Sequence, residues 1–467
     1  MVSSKLLFKL KSVITMDAFF DFKAREFELK INTDSRSFKK DETFVALVGE
    51  NFDAFNYLEG VLNLDAKVVI VSHSFERAAL FQSLSVLYPK TLFITVTDTL
   101  LFLQELARLH IEEWKKADKD RKIIGVTGSN GKTTHKEMIY FLLNSLLPGK
   151  VLATKGNLNN HIGVPLTIFG LTKKHKVAII EMGMNHAGEI KVLCDIAHPE
   201  HGMITNIGAA HIEFLKSMEN IFKEKGTLYD SVVKTSKGQG VFVVNGDDQY
   251  LGKLKKSKGL STYGEFGGDT KIEINGERII IHMDRQPLLI TNNNIFEHHN
   301  LKNLAGTAIF AMKLFPKKVK QIIEAASKYQ QPSMNRSQWI NNIFLDAYNA
   351  NPSSMKVSLD SFVTIMKNKN VDLDDCYFIL GDMNELGDHA APMHEEIARH
   401  IKKLGIKNVT FIGRYREYYL KGFADPKGHY LKKEEFSEEW KKIRKNYKYI
   451  FIKASRSLEL ETLLNIV

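Results

Sequence analysis

A chain of 467 residues, 44% apolar and 25% charged, has the balance of a soluble globular protein with room for about three cored domains, which excludes a disordered polymer. Its net charge of +11 comes with lysines scattered through stretches such as 115–122, 253–258 and 441–448. No motif that reads RNA or DNA accompanies them, so solvated basic faces are the preferred reading over attraction of polyanionic small molecules such as nucleotides.

Two cysteines far apart, Cys194 and Cys376, form neither a disulfide framework nor a metal knuckle and fit a reducing cytosol. The first twenty residues lack the continuous apolar segment of a signal peptide, and no apolar run approaches membrane-spanning length. A soluble cytoplasmic protein is expected.

Residues 1–95 read as a small α/β unit with short strands at Thr43–Val48, Lys67–Val71 and Thr91–Val96. The polar turn Thr33-Asp34-Ser35-Arg36 precedes them. Ser35 and Arg36 together could hold a phosphate or a sugar, or form a plain turn with a surface charge. Asp98 is placed to cap a helix carrying Leu100, Leu103, Ala107, Ile111 and Trp114 on one face. The charge run 115–122 then reads as a solvated linker.

The stretch Lys122–Thr134, KIIGVTGSNGKTT, is the strongest local signal. A buried strand runs into the turn Gly128-Ser129-Asn130-Gly131, and Lys132, Thr133 and Thr134 open a helix. Backbone N–H groups of such a loop and helix start point at phosphate oxygens, the lysine adds a point charge, and the threonine hydroxyl can sit on Mg²⁺. Val126 stands where the full Walker pattern has its first glycine, with Gly125 one place off, but the GxxGKTT core is intact.

Further apolar runs at Lys150–Ala153, Val177–Ile180, Met203–Ile207 and Val241–Val244, most separated by helical patterns, predict a parallel sheet covered on both faces. A hairpin turned by Asn275-Gly276 joins Lys271–Ile274 to Arg278–His282, and His299–Leu314 reads as a helix that closes this unit, 96–314. From 315 to 467 comes a third, Rossmann-like α/β unit without GxGxxG. Its strands are expected at Ile343–Ala347, Tyr377–Leu380, Val409–Ile412 and Ile450–Ile452, with a helix at Met393–Leu404.

Chemistry gathers at the carboxyl ends of strands in parallel sheets. Glu181 ends one beside the phosphate loop, where a carboxylate suits Mg²⁺ better than a simple cap or salt bridge. His211 lies past the neighbouring strand and reads equally as a metal ligand or a packed histidine. Lys225 by itself reads as a surface lysine. Asn157, Asn159 and Asn160 could recognise a peptide or carboxylate, or serve turn chemistry. The stretches 346–352 (DAYNANP, with Asp346, Asn349 and Asn351) and 381–387 (GDMNELG) follow third-unit strands and could face a nucleotide across a cleft, or be ordinary loops.

These stretches, with KGNLNNHIGVPLT at 155–167, EMGMNHAGEI at 181–190, TNIGAAHIE at 205–213, HNLKNLAG at 299–306 and KASRSLE at 453–459, run through all three units. In that order they resemble the Mur ligase family. The resemblance implies a UDP-substrate domain, a central P-loop ATPase domain and a C-terminal ligase domain. The NANP and GDMNELG stretches resemble the branch that adds D-alanyl-D-alanine to a UDP-N-acetylmuramoyl-tripeptide through an acyl phosphate and a tetrahedral intermediate. Lys132 would then neutralise the β- and γ-phosphates of ATP. Thr133 and Glu181 would hold one Mg²⁺ and His211 a second, with Lys225 carbamylated beside it. Asn303, Arg336 and Asp346 match nucleotide contacts, and Ser35 and Arg36 match a loop that meets the UDP-sugar. A monomer is expected.

His161 departs from the family's usual acidic residue, Ala454 from a glycine, and Asp53-Ala54-Phe55 from Asp-Gly-His. A folylpolyglutamate-type ligase is the nearest alternative, and lacks the NANP signature. A non-catalytic P-loop module leaves the asparagine cluster and the third-unit signature unexplained.

Overall fold

The computed structural model describes residues 2–10, 13–14, 26–73, 77–254, 259–283, 286–332 and 337–466. Three main sheets follow one another along the chain, each an α/β assembly. The first is all parallel, in the order Ile31–Asn32, Thr43–Val45, Val68–Ser72, Leu92–Val96. The expected strand Thr43–Val48 stops at Val45. Beyond it the chain makes a small hairpin, Val48–Gly49 against Phe52–Asp53.

The second sheet has nine strands. Lys122–Thr127 lies inside it, parallel to Val177–Glu181 on one side and His201–Ile204 on the other. Every residue of Val177–Glu181 is buried, as expected of a strand covered on both faces. The predicted hairpin is present, with Ile274 opposite Ile279 and Gly276 at φ 59°. It extends further than its sequence signal. Leu260–Gly264 joins it to the parallel strands, and Gln286–Thr291 adds an outer antiparallel strand. The expected strand Met203–Ile207 ends at Ile204, which releases Thr205–His211 as a loop. Among the described residues no helix is long and apolar enough to cross a membrane.

Asp98 caps the helix Thr99–Lys116 as predicted, accepting from the N–H groups of Leu100 and Leu101. The helix serves two cores. Phe102, Leu103 and Leu106 pack with Leu6, Val68 and Ile94, whereas Ala107, Ile111 and Trp114 pack with Ile123, Leu171 and Ile196. The stretch 115–122 is only partly the solvated linker expected. Arg121 is buried, with its guanidinium bonded to the Trp114 and Lys173 carbonyls, and Lys115 pairs with Glu200 at 2.7 Å. Lys116, Ala117, Lys119 and Asp120 are exposed, so the stretch is solvated along one side and anchored through Lys115 and Arg121 on the other.

The third sheet is ordered Gln338–Ile340, Ile343–Asp346, Tyr449–Lys453, Cys376–Gly381, Val409–Ile412, Gly428–Tyr430, antiparallel only at its first pair. Its helix after Gly387 starts at Ala390, before the expected Met393. Ala454 is buried opposite Gly381, where an added Cβ would lie 2.6 Å from the Ala454 methyl. A bare glycine across the gap therefore makes room for the alanine.

Candidate active site

The phosphate loop leaves its strand between the carboxyl ends of two neighbours. Gly128 has φ 151°, and a Cβ there would sit 1.8 Å from Thr205 Oγ1. Gly131, at φ 73°, starts the helix Lys132–Leu146 in left-handed backbone. The loop is braced from the Thr205–His211 segment. Ser129 N and Asn130 N donate to the carbonyl and side-chain oxygens of Asn206 at 3.0 and 2.9 Å. Gly208 N donates to Ser129 Oγ at 2.8 Å. Lys132 Nζ arches over the turn and donates to the Gly128 and Ser129 carbonyls at 2.7 and 3.2 Å. Gly128→Ala is expected to push the loop off Thr205 and lower turnover on the order of 10²-fold, the loss that follows an ångström-scale misplacement. Steady-state kinetics beside a melting curve checks this.

Glu181 lies beneath the loop, 1% exposed. Its Oε1 accepts from Thr133 Oγ1 at 3.1 Å and Asn159 Nδ2 at 2.9 Å. Its Oε2 is buried without a hydrogen-bond partner. A buried carboxylate oxygen left bare is costly unless a cation completes it. Carboxylate and threonine oxygen are hard ligands that suit Mg²⁺. Among the described residues no group of three or more His, Cys, Asp and Glu makes a ready cage.

Lys225 stands on the helix Met218–Ser236, fully buried, and its Nζ has no partner. Burial, reinforced by the Lys132 charge, pushes its pKa well below the usual lysine value. Glu224 beside it is already engaged by the N–H groups of Gly188 and Ile190, both at 2.9 Å.

The third sheet closes the cleft from the other side. Asp346 ends its strand and accepts from Ser358 Oγ at 2.9 Å and from the buried Lys453 Nζ at 2.5 Å. Lys453 also reaches the Asn349 carbonyl at 3.2 Å. Asn351 caps the helix Pro352–Asn368, and its Nδ2 donates to Asn130 Oδ1 at 2.6 Å. Asn130 in turn donates to Ser353 Oγ at 2.8 Å. His211 Nδ1 lies 2.6 Å from Glu385 Oε2 of the GDMNELG stretch, and both residues hold left-handed backbone. The imidazole beside Glu385 holds its carboxyl below the usual range. His299 faces Ser361 Oγ at 2.9 Å, and burial keeps it neutral, with its pKa pushed down to about 4.

The cleft between these walls is about 490 Å³, within the range of small-molecule sites. It brings together Ser129–Thr134, Asn159, Glu181, His211, Asn303, Asp346 and Asn349. Gly128, Lys225 and Asn351 are not among its lining residues. Asn157 is exposed, and Asn160 Oδ1 accepts from Ile162 N and Gly163 N just ahead of the helix Gly163–Phe169, which is turn chemistry. The structure does not bring Ser35 and Arg36 to this cleft. They form the predicted polar turn, where Arg36 pairs with Asp34 at 2.8 Å. In the departing Asp53-Ala54-Phe55 stretch, Asp53 pairs with Arg77 at 2.6 Å, whose guanidinium covers the Phe55 ring. His161 offers its carbonyl to Gln104 Nε2 at 3.2 Å. Arg336 lies outside the described residues. Lys302, which lines the cleft and pairs with Asp247 at 2.5 Å, and Lys453 escape a sequence reading. Nothing local separates them from other lysines, although Lys302 sits in the HNLKNLAG stretch and Lys453 in KASRSLE.

Two family models match the chain: the Mur ligase middle domain over residues 126–311 and the Mur ligase, glutamate ligase domain over residues 335–449. The UDP-N-acetylmuramoyl-tripeptide–D-alanyl-D-alanine ligase of Bacillus subtilis is 30% identical over 449 residues, covering 93% of this chain and 92% of its own. A crystal structure of MurF from Acinetobacter baumannii superposes with a TM-score of 0.80 at 26% identity, over 95% of this chain and 93% of the other. MurF from Thermotoga maritima, solved with ADP, shares the fold with a TM-score of 0.77 at 22% identity, over 94% and 96% of the two chains.

Proposed function

The chain belongs to the Mur ligase family, and from this we infer that it joins D-alanyl-D-alanine to a UDP-N-acetylmuramoyl-tripeptide in peptidoglycan precursor synthesis, with ATP cleaved to ADP and phosphate. The observation that carries the reading is one cleft lined by a phosphate loop and Glu181 together with Asp346, Asn349 and Lys453 from another sheet.

An oxygen of the tripeptide's terminal carboxylate attacks the γ-phosphorus, and the bond to the bridging oxygen breaks as ADP leaves. The dipeptide amine adds to the acyl phosphate carbon and loses a proton. The tetrahedral adduct expels phosphate and leaves the amide. Phosphoryl transfer of this kind rests on positioning and charge neutralisation. Loop and helix-start N–H groups and Lys132 supply positive charge along the phosphates, and Asn303, beside Gly131, and Asp346, across the cleft, hold the nucleotide. Magnesium held by Thr133 and Glu181, with a second ion near His211 and a carbamylated Lys225, would screen the charge between carboxylate and phosphate. We assign peptide recognition to Asn159 and Asn349, and the UDP-sugar to the first unit around Ser35 and Arg36. The corresponding division is 1–95, 96–314 and 315–467, in a cytoplasmic monomer.

The test is ADP release from purified protein supplied with UDP-muramoyl tripeptides, with and without D-alanyl-D-alanine. Release that rises sharply with the dipeptide and not with glutamate is expected. Release stimulated by glutamate alone, or by no amine, would reject the assignment.

A further inference from the structure

We propose that Lys136 is a positioning residue for the Glu181 carboxylate; the proposal rests on the cation site assigned above. Lys136 is 1% exposed, one of the largest side chains fully buried in the protein. It pairs with Glu137, and its Nζ donates to the Thr154 carbonyl at 2.9 Å. Thr154 is equally buried, and its Oγ1 accepts from Glu181 N at 2.9 Å. From Thr154 the chain turns back to the same carboxylate. Asn159 Nδ2 donates to Glu181 Oε1 at 2.9 Å, and the Asn159 carbonyl accepts from Gly183 N at 2.8 Å.

Thr133 and Lys136 are three residues apart and so share one face of the phosphate-loop helix. The helix therefore grips Glu181 twice, directly through the Thr133 hydroxyl and at one remove through Lys136 and Thr154. An apolar side chain would fill the same space with less desolvation, so a lysine there has a task other than packing. The task the contacts describe is to hold the 154–159 turn against the helix. That fixes the Asn159 amide on Oε1 and leaves Oε2 as the oxygen without a partner. Partners behind metal ligands typically change affinity 10–100-fold when removed.

The experiment measures Mn²⁺ binding by the full-length protein in the presence of ADP, by electron paramagnetic resonance of free Mn²⁺. K136M is expected to weaken Mn²⁺ about 10–100-fold while ADP affinity without metal stays at the wild-type value, a split that simple loss of packing would not produce. Where K136M does not fold, Thr154→Val against Thr154→Ser takes its place. Valine removes the oxygen that receives Glu181 N–H and serine keeps it, so only valine should lose Mn²⁺ affinity. Wild-type Mn²⁺ affinity in K136M, or in Thr154→Val where K136M is unfolded, overturns the positioning role alone. A wild-type protein that binds ADP but no Mn²⁺ overturns the cation site and this inference with it.

Discussion

Lys225→Ala is expected to lose turnover on the order of 10³-fold, and formate or acetate in the assay is expected to restore part of it. The argument starts from an amine with nowhere to put its charge. Lys225 is fully buried, its Nζ has no partner, and Glu224 has both oxygens committed to backbone N–H groups. Burial first, then the Lys132 charge, favours the neutral amine. An unprotonated amine adds carbon dioxide at neutral pH, and the carbamate that forms is an anion with two hard oxygens. Lys132 then changes from a repelling neighbour to an attracting one. Short carboxylic acids can occupy the space alanine leaves and supply comparable oxygens. Carbon-13 NMR of protein equilibrated with labelled bicarbonate should show a carbamate carbon that the variant lacks. Full activity of the variant without added acid would remove Lys225 from the chemistry.

Lys132→Ala should abolish turnover, with a loss of 10³-fold or more as an order of magnitude, because a cation at the transferring phosphoryl group contributes that much in related chemistry. Two roles are lost together. The ammonium bridges the Gly128 and Ser129 carbonyls at 2.7 and 3.2 Å, which shapes the turn, and it is the loop's only full positive charge between Gly128 and Thr134. Arginine should not rescue it, since a planar fork is a poor substitute for a compact point charge inside a tight loop. Single-turnover measurement of the phosphoryl-transfer step checks this directly. A near-normal rate in the alanine variant would show that the loop does not hold the reacting phosphates.

The phosphate loop is legible in the sequence because all its parts are contiguous: strand, glycine turn and helix start follow one another, and local geometry does the rest. Glu181 is legible for a related reason, since a strand's end can be read from its apolar run and sites gather at such ends. The pairing of His211 with Glu385 is not. Neither is the bond between Asn130 and Asn351, which are 221 residues apart. Both depend on how two sheets face each other, which no local pattern encodes. Lysines hide best: among 65 Lys and Arg, periodicity separates a surface charge from neither Lys136 nor Lys453, although each is buried on a polar partner. The same blindness makes the 115–122 run read as a linker when Arg121 is locked inside.

The helix Thr99–Lys116 decides where this protein can be cut. A fragment beginning at residue 96 would carry Phe102, Leu103 and Leu106, each fully buried in the whole chain, into water, at about 1.5–3 kcal/mol apiece. One beginning after Lys116 would instead strip Ala107, Ile111 and Trp114 from the apolar layer they share with Ile123 and Leu171. Neither end of the helix is a seam, so the first two units should melt in one shared transition, and loosening the amino-terminal lobe should weaken the nucleotide-binding lobe with it.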